Sequence, residues 1–313
     1  MWLLLSFVSA TLLGFYDTSK KAALKDNAVL PVLLLNTLFS TVIFSPFIAD
    51  SILGTGMFEG TPFSTRPYKE PAWAATAAQE GDMLKAHMLI ILKSFIVLTS
   101  WIAGYFGLKH LPITIVGPIN ATRPVLVLVG AMLFFGERLN GFQWAGVLLA
   151  ILSIFLMSIT GKKEQIDFRH NKWIWCIGVA TIAGAASGLY DKYIMRELSP
   201  MFVQSWFNLY QLVIMSAVCL LLWYPTRRKT TPFRWSMAIP LISLFITAAD
   251  FAYYNALSDP DAMISVVSLV RRGSVLISFT CGVLLFKERN IKGKLLDLAM
   301  ILAGMVFIWL GSR

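Results

Sequence analysis

Charge is what this chain has least of. Charged residues make up 14% of its 313 positions, against about 25% in a soluble globular protein. A fold facing water on all sides needs more, so lipid is the expected solvent for most of the chain. Histidine is scarce as well. His87, His110 and His170 stand at the ends of apolar runs or in connections, without metal-ligand spacing. Cys176, Cys219 and Cys281 all fall inside apolar segments and read as small buried hydrophobes rather than disulfide partners. A Gly-rich loop ending in Lys-Ser or Lys-Thr is missing, which excludes an ATP-driven motor. No Ser/His/Asp set is suggested at a common depth. The chain is therefore not expected to be an enzyme, and no cofactor or metal is expected. A basic region ahead of the first apolar stretch is missing too, so Met1-Trp2-Leu3 opens a retained helix rather than a cleaved leader.

What is present is apolar. Hydrophobic residues make up 57% of the chain, and mean hydropathy is +0.69. Runs of about 20 residues, long enough to cross a bilayer as helices, recur at 2–23, 28–48, 86–108, 112–135, 141–160, 173–195, 200–224, 236–257, 262–286 and 294–311. They are continuous rather than alternating, which favours helices over barrel strands. The expected fold is all-α and integral to the membrane, with ten transmembrane helices. The net charge of +10 points to no nucleic acid, because the basic residues cluster in short connections that anchor topology.

The second half of the chain echoes the first. Gly14-Phe15-Tyr16-Asp17 returns 174 residues later as Gly188-Leu189-Tyr190-Asp191. Phe135-Gly136-Glu137-Arg138 returns 151 residues later as Phe286-Lys287-Glu288-Arg289. Trp101–Leu108 aligns with Asp250–Leu257 at a shift of 149. The drop from 174 to 149 places 25 extra residues between the second and third spans, within Ala49–Lys85. Its glycines and prolines read as a loop; Pro71–Met83 reads equally as a short surface helix or a disordered excursion. Five spans per half is an odd number, so the halves must insert in opposite orientations, as two inverted five-helix repeats. This is a signature of secondary transporters.

Several of these residues carry a family resemblance. Tyr105-Phe106-Gly107-Leu108, Pro124, Phe134-Phe135-Gly136-Glu137-Arg138-Leu139 and Gln143-Trp144-Ala145-Gly146 resemble the second part of an EamA domain. Tyr254-Asn255-Ala256-Leu257 and Phe286-Lys287-Glu288-Arg289 form the second copy. The chain is similar to ten-helix members of the drug/metabolite transporter superfamily, which hold two such domains. The resemblance implies a first EamA-like repeat over 1–160 with its insertion within 49–85, a connecting loop over 161–171, and a second repeat over 172–313. It implies a carrier of small metabolites with a central cavity, in a multi-pass membrane protein; a bacterial inner (plasma) membrane is the expected location. It also implies cytoplasmic termini. The charge count disagrees: connections after odd-numbered spans hold 16 Lys and Arg and the other side 7, which places both termini outside. Lys287 in place of Gly136, and the Arg271-Arg272 doublet, depart from the common pattern.

The sharpest cluster lies in the eighth and ninth spans. Asp250, Arg271 and Arg272 fall at matched depth, roughly 12–15 Å from one face at about 1.5 Å rise per residue. Charges at that depth are costly and usually functional. Pairing Asp250 with one arginine leaves a spare cation, which suits a carboxylate or phosphate. An ion-pair network that merely fastens helices fits the same residues. The fourth span, Gly117-Pro118-Ile119-Asn120-Ala121-Thr122-Arg123-Pro124, is the counterpart of the ninth. Its prolines bend it, and Gly273 interrupts its partner. Interrupted helices at matching positions point to a binding site, which brings Asn120 and Arg123 to the cavity unless Arg123 is tied to backbone carbonyls. Trp101 and Tyr254 are shaping residues. Tyr16, Asp17, Tyr190 and Asp191 are gating or coupling candidates, although Lys20 and Lys21 also allow a local ion pair with Asp17. Ala10, Gly14, Gly184 and Gly188 read as packing seams.

The expected activity is alternating-access secondary transport of a small polar metabolite, anionic or amino-acid-like, with proton or counter-substrate coupling left open. A passive channel and a non-transporting scaffold are the rivals. The expected partners are a small-molecule substrate and membrane lipid, in a monomer or homodimer.

Overall fold

The computed structural model describes residues 2–61, 63–68, 79–123, 125–127, 129–130, 140–142, 144–146, 148–149, 152, 170–259, 262, 267, 270–286 and 291–311. Expectations for Pro124, most of the fifth span, the 161–169 connection, the Pro71–Met83 surface helix up to residue 78, Glu137-Arg138 and Lys287-Glu288-Arg289 lie outside them.

Among the described residues the structure is helical and contains no strand. In order come α1 (Trp2–Leu24), α2 (Val29–Leu53), α3 (Gln79–His110), α4 (Ile113–Ala121), α5 (Lys172–Glu197), α6 (Pro200–Val218, continued by a π-helical turn, Cys219–Trp223), α7 (Ala238–Ser258), α8 (Ser274–Leu284) and α9 (Ile291–Gly311). Stretches within α2, α3, α5 and α6 are long and apolar enough to cross a membrane. Their outward faces are greasy: Leu221 is 74% exposed and Leu53 73%. Such surface has a natural solvent in acyl chains. The polar residues instead face one another. Asn36 accepts from the Ser243 hydroxyl (3.0 Å), and Gln204 donates to the Thr247 carbonyl (2.9 Å). An interior carbonyl or hydroxyl away from water must find its partner inside the bundle.

Helix partners follow a rule. α1 packs along α7 and α5 along α3; α2 meets α6; α4 meets α8; α1 meets α8 as α5 meets α4; α2 meets α7 as α6 meets α3. Exchanging α1 with α5, α2 with α6, α3 with α7 and α4 with α8 returns the same scheme. A serine hydroxyl fastens each of the two most extensive contacts: Ser9 donates from α1 to the Ala249 carbonyl on α7, and Ser100 from α3 to the Ala180 carbonyl on α5, each at 2.7 Å.

Two helices run past their expected ends. α2 continues to Leu53 rather than stopping near 48, because Ile52 and Leu53 extend its apolar run. Gly54, at φ +62°, supplies the left-handed residue that ends it, its N–H closing on the Asp50 carbonyl. α3 begins at Gln79 rather than near 86. The insertion between them is shorter as a loop than expected, and its described part is anchored rather than loose. Asp50 accepts hydrogen bonds from the Thr55 and Thr65 hydroxyls and the Met57 N–H. Ser199 donates its hydroxyl to the Arg66 carbonyl and its N–H to that of Pro67. Phe63 stacks between Phe47 and Phe251.

The long fourth and ninth spans are both interrupted. α4 ends at Ala121, where the Thr122 N–H closes a tight turn on Ile119. The turn at Gly273, whose N–H bonds to the Val270 carbonyl, precedes α8. Arg123 and Arg272 sit at these two breaks.

Candidate substrate cavity

A cavity of about 140 Å³ opens between α1, α3, α4, α5, α7 and α8. Its floor plan follows from the breaks. An interrupted helix turns its side chains off the regular 3.6-residue path and brings a long residue inward, while small residues opposite leave it room. Gly184 on α5 does this for Arg123: a Cβ there would fall on the guanidinium. Gly188, one turn later, meets nothing within 4 Å and leaves open volume. Neither is the packing seam its spacing suggested. Gly14 is a close-approach glycine, against Ile277 and the Ser274 carbonyl.

Among the described residues, five cations and three carboxylates line the cavity: Lys20, Lys93, Arg123, Arg271 and Arg272 against Asp17, Asp191 and Asp250. Every carboxylate has a cation. Asp17 holds Lys20 at 2.7 Å, Asp191 holds Lys93, and Asp250 holds Arg271. The paired cations also rest on aromatic faces, which favour positive charge. Lys20 lies 4.3 Å from the centre of the Tyr16 ring, Lys93 4.7 Å from Phe207 and 4.9 Å from Tyr254, and Arg271 3.9 Å from Tyr253.

Among the described residues, neither Arg123 nor Arg272 has a carboxylate within ion-pair distance. Arg123 reaches only neutral oxygens at long range, the Asn120 side chain at 3.4 Å and the Ala180 carbonyl at 3.3 Å. The carbonyl contact expected of a merely structural arginine is thus present, but it leaves the Arg123 Nε without a partner. The Arg272 Nε is buried and unpartnered too. Both guanidinium groups line the same cavity.

Against known proteins, the pattern of the EamA-like transporter family matches residues 1–159. The chain belongs to this family. The EamA-like transporters fall within the drug/metabolite transporter superfamily, and this chain is an integral, multi-pass membrane protein of that kind. No curated protein matches it. One crystal structure is similar over 100% of this chain and 98% of its own, at 14% identity and a TM-score of 0.60; that likeness concerns the fold alone.

Of the residues singled out from the sequence of this EamA-like transporter, Asp250, Arg271, Arg272, Arg123, Asn120, Trp101, Tyr254, Tyr16, Asp17 and Asp191 all line the cavity. Tyr190 does not. Its hydroxyl donates to the Leu89 carbonyl at 3.2 Å and its ring packs on Tyr193, so Tyr16 and Tyr190 do not form a matched pair at the site. Lys21 turns away from Asp17 and donates to the Leu108 and Leu111 carbonyls at 2.8 and 2.6 Å. Asn255 folds back on Phe251 at 2.8 Å. The sequence reading missed Lys93, buried with Asp191 and the main feature of the α3 wall. Its signal was visible: a lone lysine well inside the apolar run 86–108 is an ionisable group at membrane depth. Among the described residues no group of His, Cys, Asp and Glu could hold a metal.

Proposed function

We propose that this chain is a secondary transporter that carries a small anionic metabolite through the membrane by alternating access. Ten helices in two inverted five-helix repeats, over 1–160 and 172–313, form the carrier, with the cavity between them. The helix-exchange rule supports this architecture. A packing scheme that is unchanged when the halves trade places gives two conformations of similar energy, each the other's counterpart with the opening on the opposite side. In the first half α4 breaks beside Arg123, and in the second the chain breaks beside Arg272. Rocking the halves therefore changes access without dismantling the site.

The observation that carries the substrate reading is the excess of cations over carboxylates in a cavity walled by apolar helices. Unpaired guanidinium groups in such surroundings are expensive, and an anion is the ligand that offsets their cost. Trp101, Tyr254 and Asn120 shape the remainder. Purified protein in liposomes, screened for uptake and counterflow of a metabolite mixture with and without a pH gradient, tests the proposal. Saturable, exchange-stimulated uptake of anions is expected, and ohmic currents without counterflow would indicate a channel instead.

A further inference from the structure

The two cations left without carboxylates are not an arbitrary pair. At the shift of 149 that aligns Trp101 with Asp250, Arg123 falls on Arg272. Each stands at the interruption of its span, one beside Thr122 and Pro124, the other beside Gly273. The repeat therefore brings two equivalent guanidinium groups, one from each half, to a single cavity. The remaining cations of the cavity are neutralised by Asp17, Asp191 and Asp250.

We infer that the substrate is a small dianion, held between Arg123 and Arg272 with one anionic group, or one face of a doubly charged phosphoryl group, on each. This deepens the carrier reading and rests on it. Three observations converge. Among the described residues, the uncompensated charge of the cavity is two. The two groups that bear it keep unfilled hydrogen-bond capacity, each with an unpartnered Nε, and a guanidinium fork matches carboxylate and phosphate oxygens. Each buried guanidinium calls for an anionic partner of its own; a monoanion satisfies one arginine and leaves the other buried and unpaired. A zwitterion adds a cation where there is already an excess. The cavity, about 140 Å³, suits a solute of a few heavy atoms.

Thermal unfolding of the purified protein with succinate, inorganic phosphate, acetate or glycine, at matched ionic strength, tests this. Succinate or phosphate should stabilise at concentrations at least about tenfold lower than acetate, in line with the added charge-assisted contacts, and glycine should do nothing. Phosphate should act better at pH 8 than at pH 6 and succinate should not, which separates phosphoryl from dicarboxylate recognition. R123Q and R272Q should each remove the advantage of the dianions over acetate while a carboxylate still binds. R272K should recover part of it. Far-UV circular dichroism and gel filtration check that the variants fold. Acetate acting as well as both dianions, a dianion advantage that survives in both Gln variants, or indifference of the wild type to both dianions would overturn the inference. Liposome uptake of neutral or cationic metabolites would do so while leaving the carrier reading in place. Dianion binding without any uptake would leave the ligand assignment and overturn the carrier.

Discussion

Asp17 and Asp191 hold the same place in the repeat, 174 residues apart, each preceded by tyrosine and by a glycine three positions back. Their partners differ. Asp17 takes Lys20 from the next turn of its own helix, and its side chain keeps 29% exposure. Asp191 takes Lys93 from another helix, with the two side chains 7% and 1% exposed. The difference lies in residues that do not obey the repeat. Lys20 corresponds to Ile194, and Lys93 to Ile242; Arg271 corresponds to Thr122, and Asp250 to Trp101. The two repeat-related aspartates are each neutralised by a lysine at a position where the second copy differs, and Asp250 and Arg271, neither of them repeated, neutralise each other. The repeat-related arginines, Arg123 and Arg272, are left to carry the positive excess of the described lining. Divergence between the copies thus supplies the partners of the aspartates and supplies none for the arginines.

The strongest way to break the comparison is to remove the partner of the deeper aspartate. K93M leaves Asp191 buried without the cation it pairs with. Breaking a buried pair from one side costs about 3–5 kcal/mol, and K93M should lower thermal stability in lipid nanodiscs accordingly. K93M combined with D191L replaces both charges by apolar groups and should regain most of the loss. If K93M alone is as stable as wild type, Asp191 is not the ion-paired group described here.

Next in size is a comparison of two glycines one turn apart. G184A places a methyl group on the Arg123 guanidinium, whereas G188A meets nothing within 4 Å. G184A should reduce anion uptake at least about tenfold by displacing the guanidinium, at a cost in stability of only about 1 kcal/mol because the far end of the arginine can shift. G188A should leave stability unchanged and narrow the substrate range only through lost volume. Equal effects would mean that Arg123 moves freely, and the matched placement of the two arginines would lose its meaning. Uptake kinetics and unfolding curves on the two variants decide this.

Apolar runs made most of the fold legible, because a span with no water to hydrogen-bond its backbone has little choice but helix. α1 runs from Trp2 to Leu24 where 2–23 was expected, and α7 from Ala238 to Ser258 where 236–257 was expected. The site was legible wherever a charge interrupted such a run, hence Asp250, Arg271, Arg272 and Arg123. The partner of Asp191 was not read, because Lys93 and Asp191 are 98 residues apart and no periodicity links them. The roles of Gly184 and Tyr190 were not legible either. A glycine that admits a guanidinium and one that admits a helix look the same in sequence, and a tyrosine's side of a helix depends on which neighbour arrives. The mooring of the insertion was not legible for a similar reason: Ser199, far along the chain, anchors it.

Returning to the aspartates, the shallower pair should be the more forgiving. K20A removes a partner from a carboxylate that water still reaches, so screening and hydration replace much of what is lost. The expected cost is about 1 kcal/mol or less, well below that of K93M. Lys20 also covers the Tyr16 ring, so K20A should alter the concentration dependence of uptake more than thermal stability. A loss of stability as large as that of K93M would show that Asp17 is functionally as deep as Asp191, and that the halves have diverged less than their partners indicate.

The smallest effect belongs to a pair outside the membrane-spanning segments. Glu59 meets Arg66 in a two-pronged contact at 2.9 and 2.7 Å, and the Arg66 guanidinium holds the Glu59 carboxyl below its usual range. A carboxyl lowered on folding contributes fully above its unfolded value and loses that contribution as pH falls through the lowered one. Both side chains are exposed, so the contribution is slight. The loop has stronger moorings in Asp50 with Thr55 and Thr65, and in Ser199, which binds the backbone carbonyls of Arg66 and Pro67 whatever side chain stands at 66. R66Q should therefore leave anion uptake at neutral pH unchanged and make cleavage of the 54–68 loop by added protease only slightly faster, while D50N should speed that cleavage much more. If R66Q matched D50N, the exposed pair rather than the capped aspartate would hold the loop, and burial would not be what separates strong from weak carboxylates in this chain.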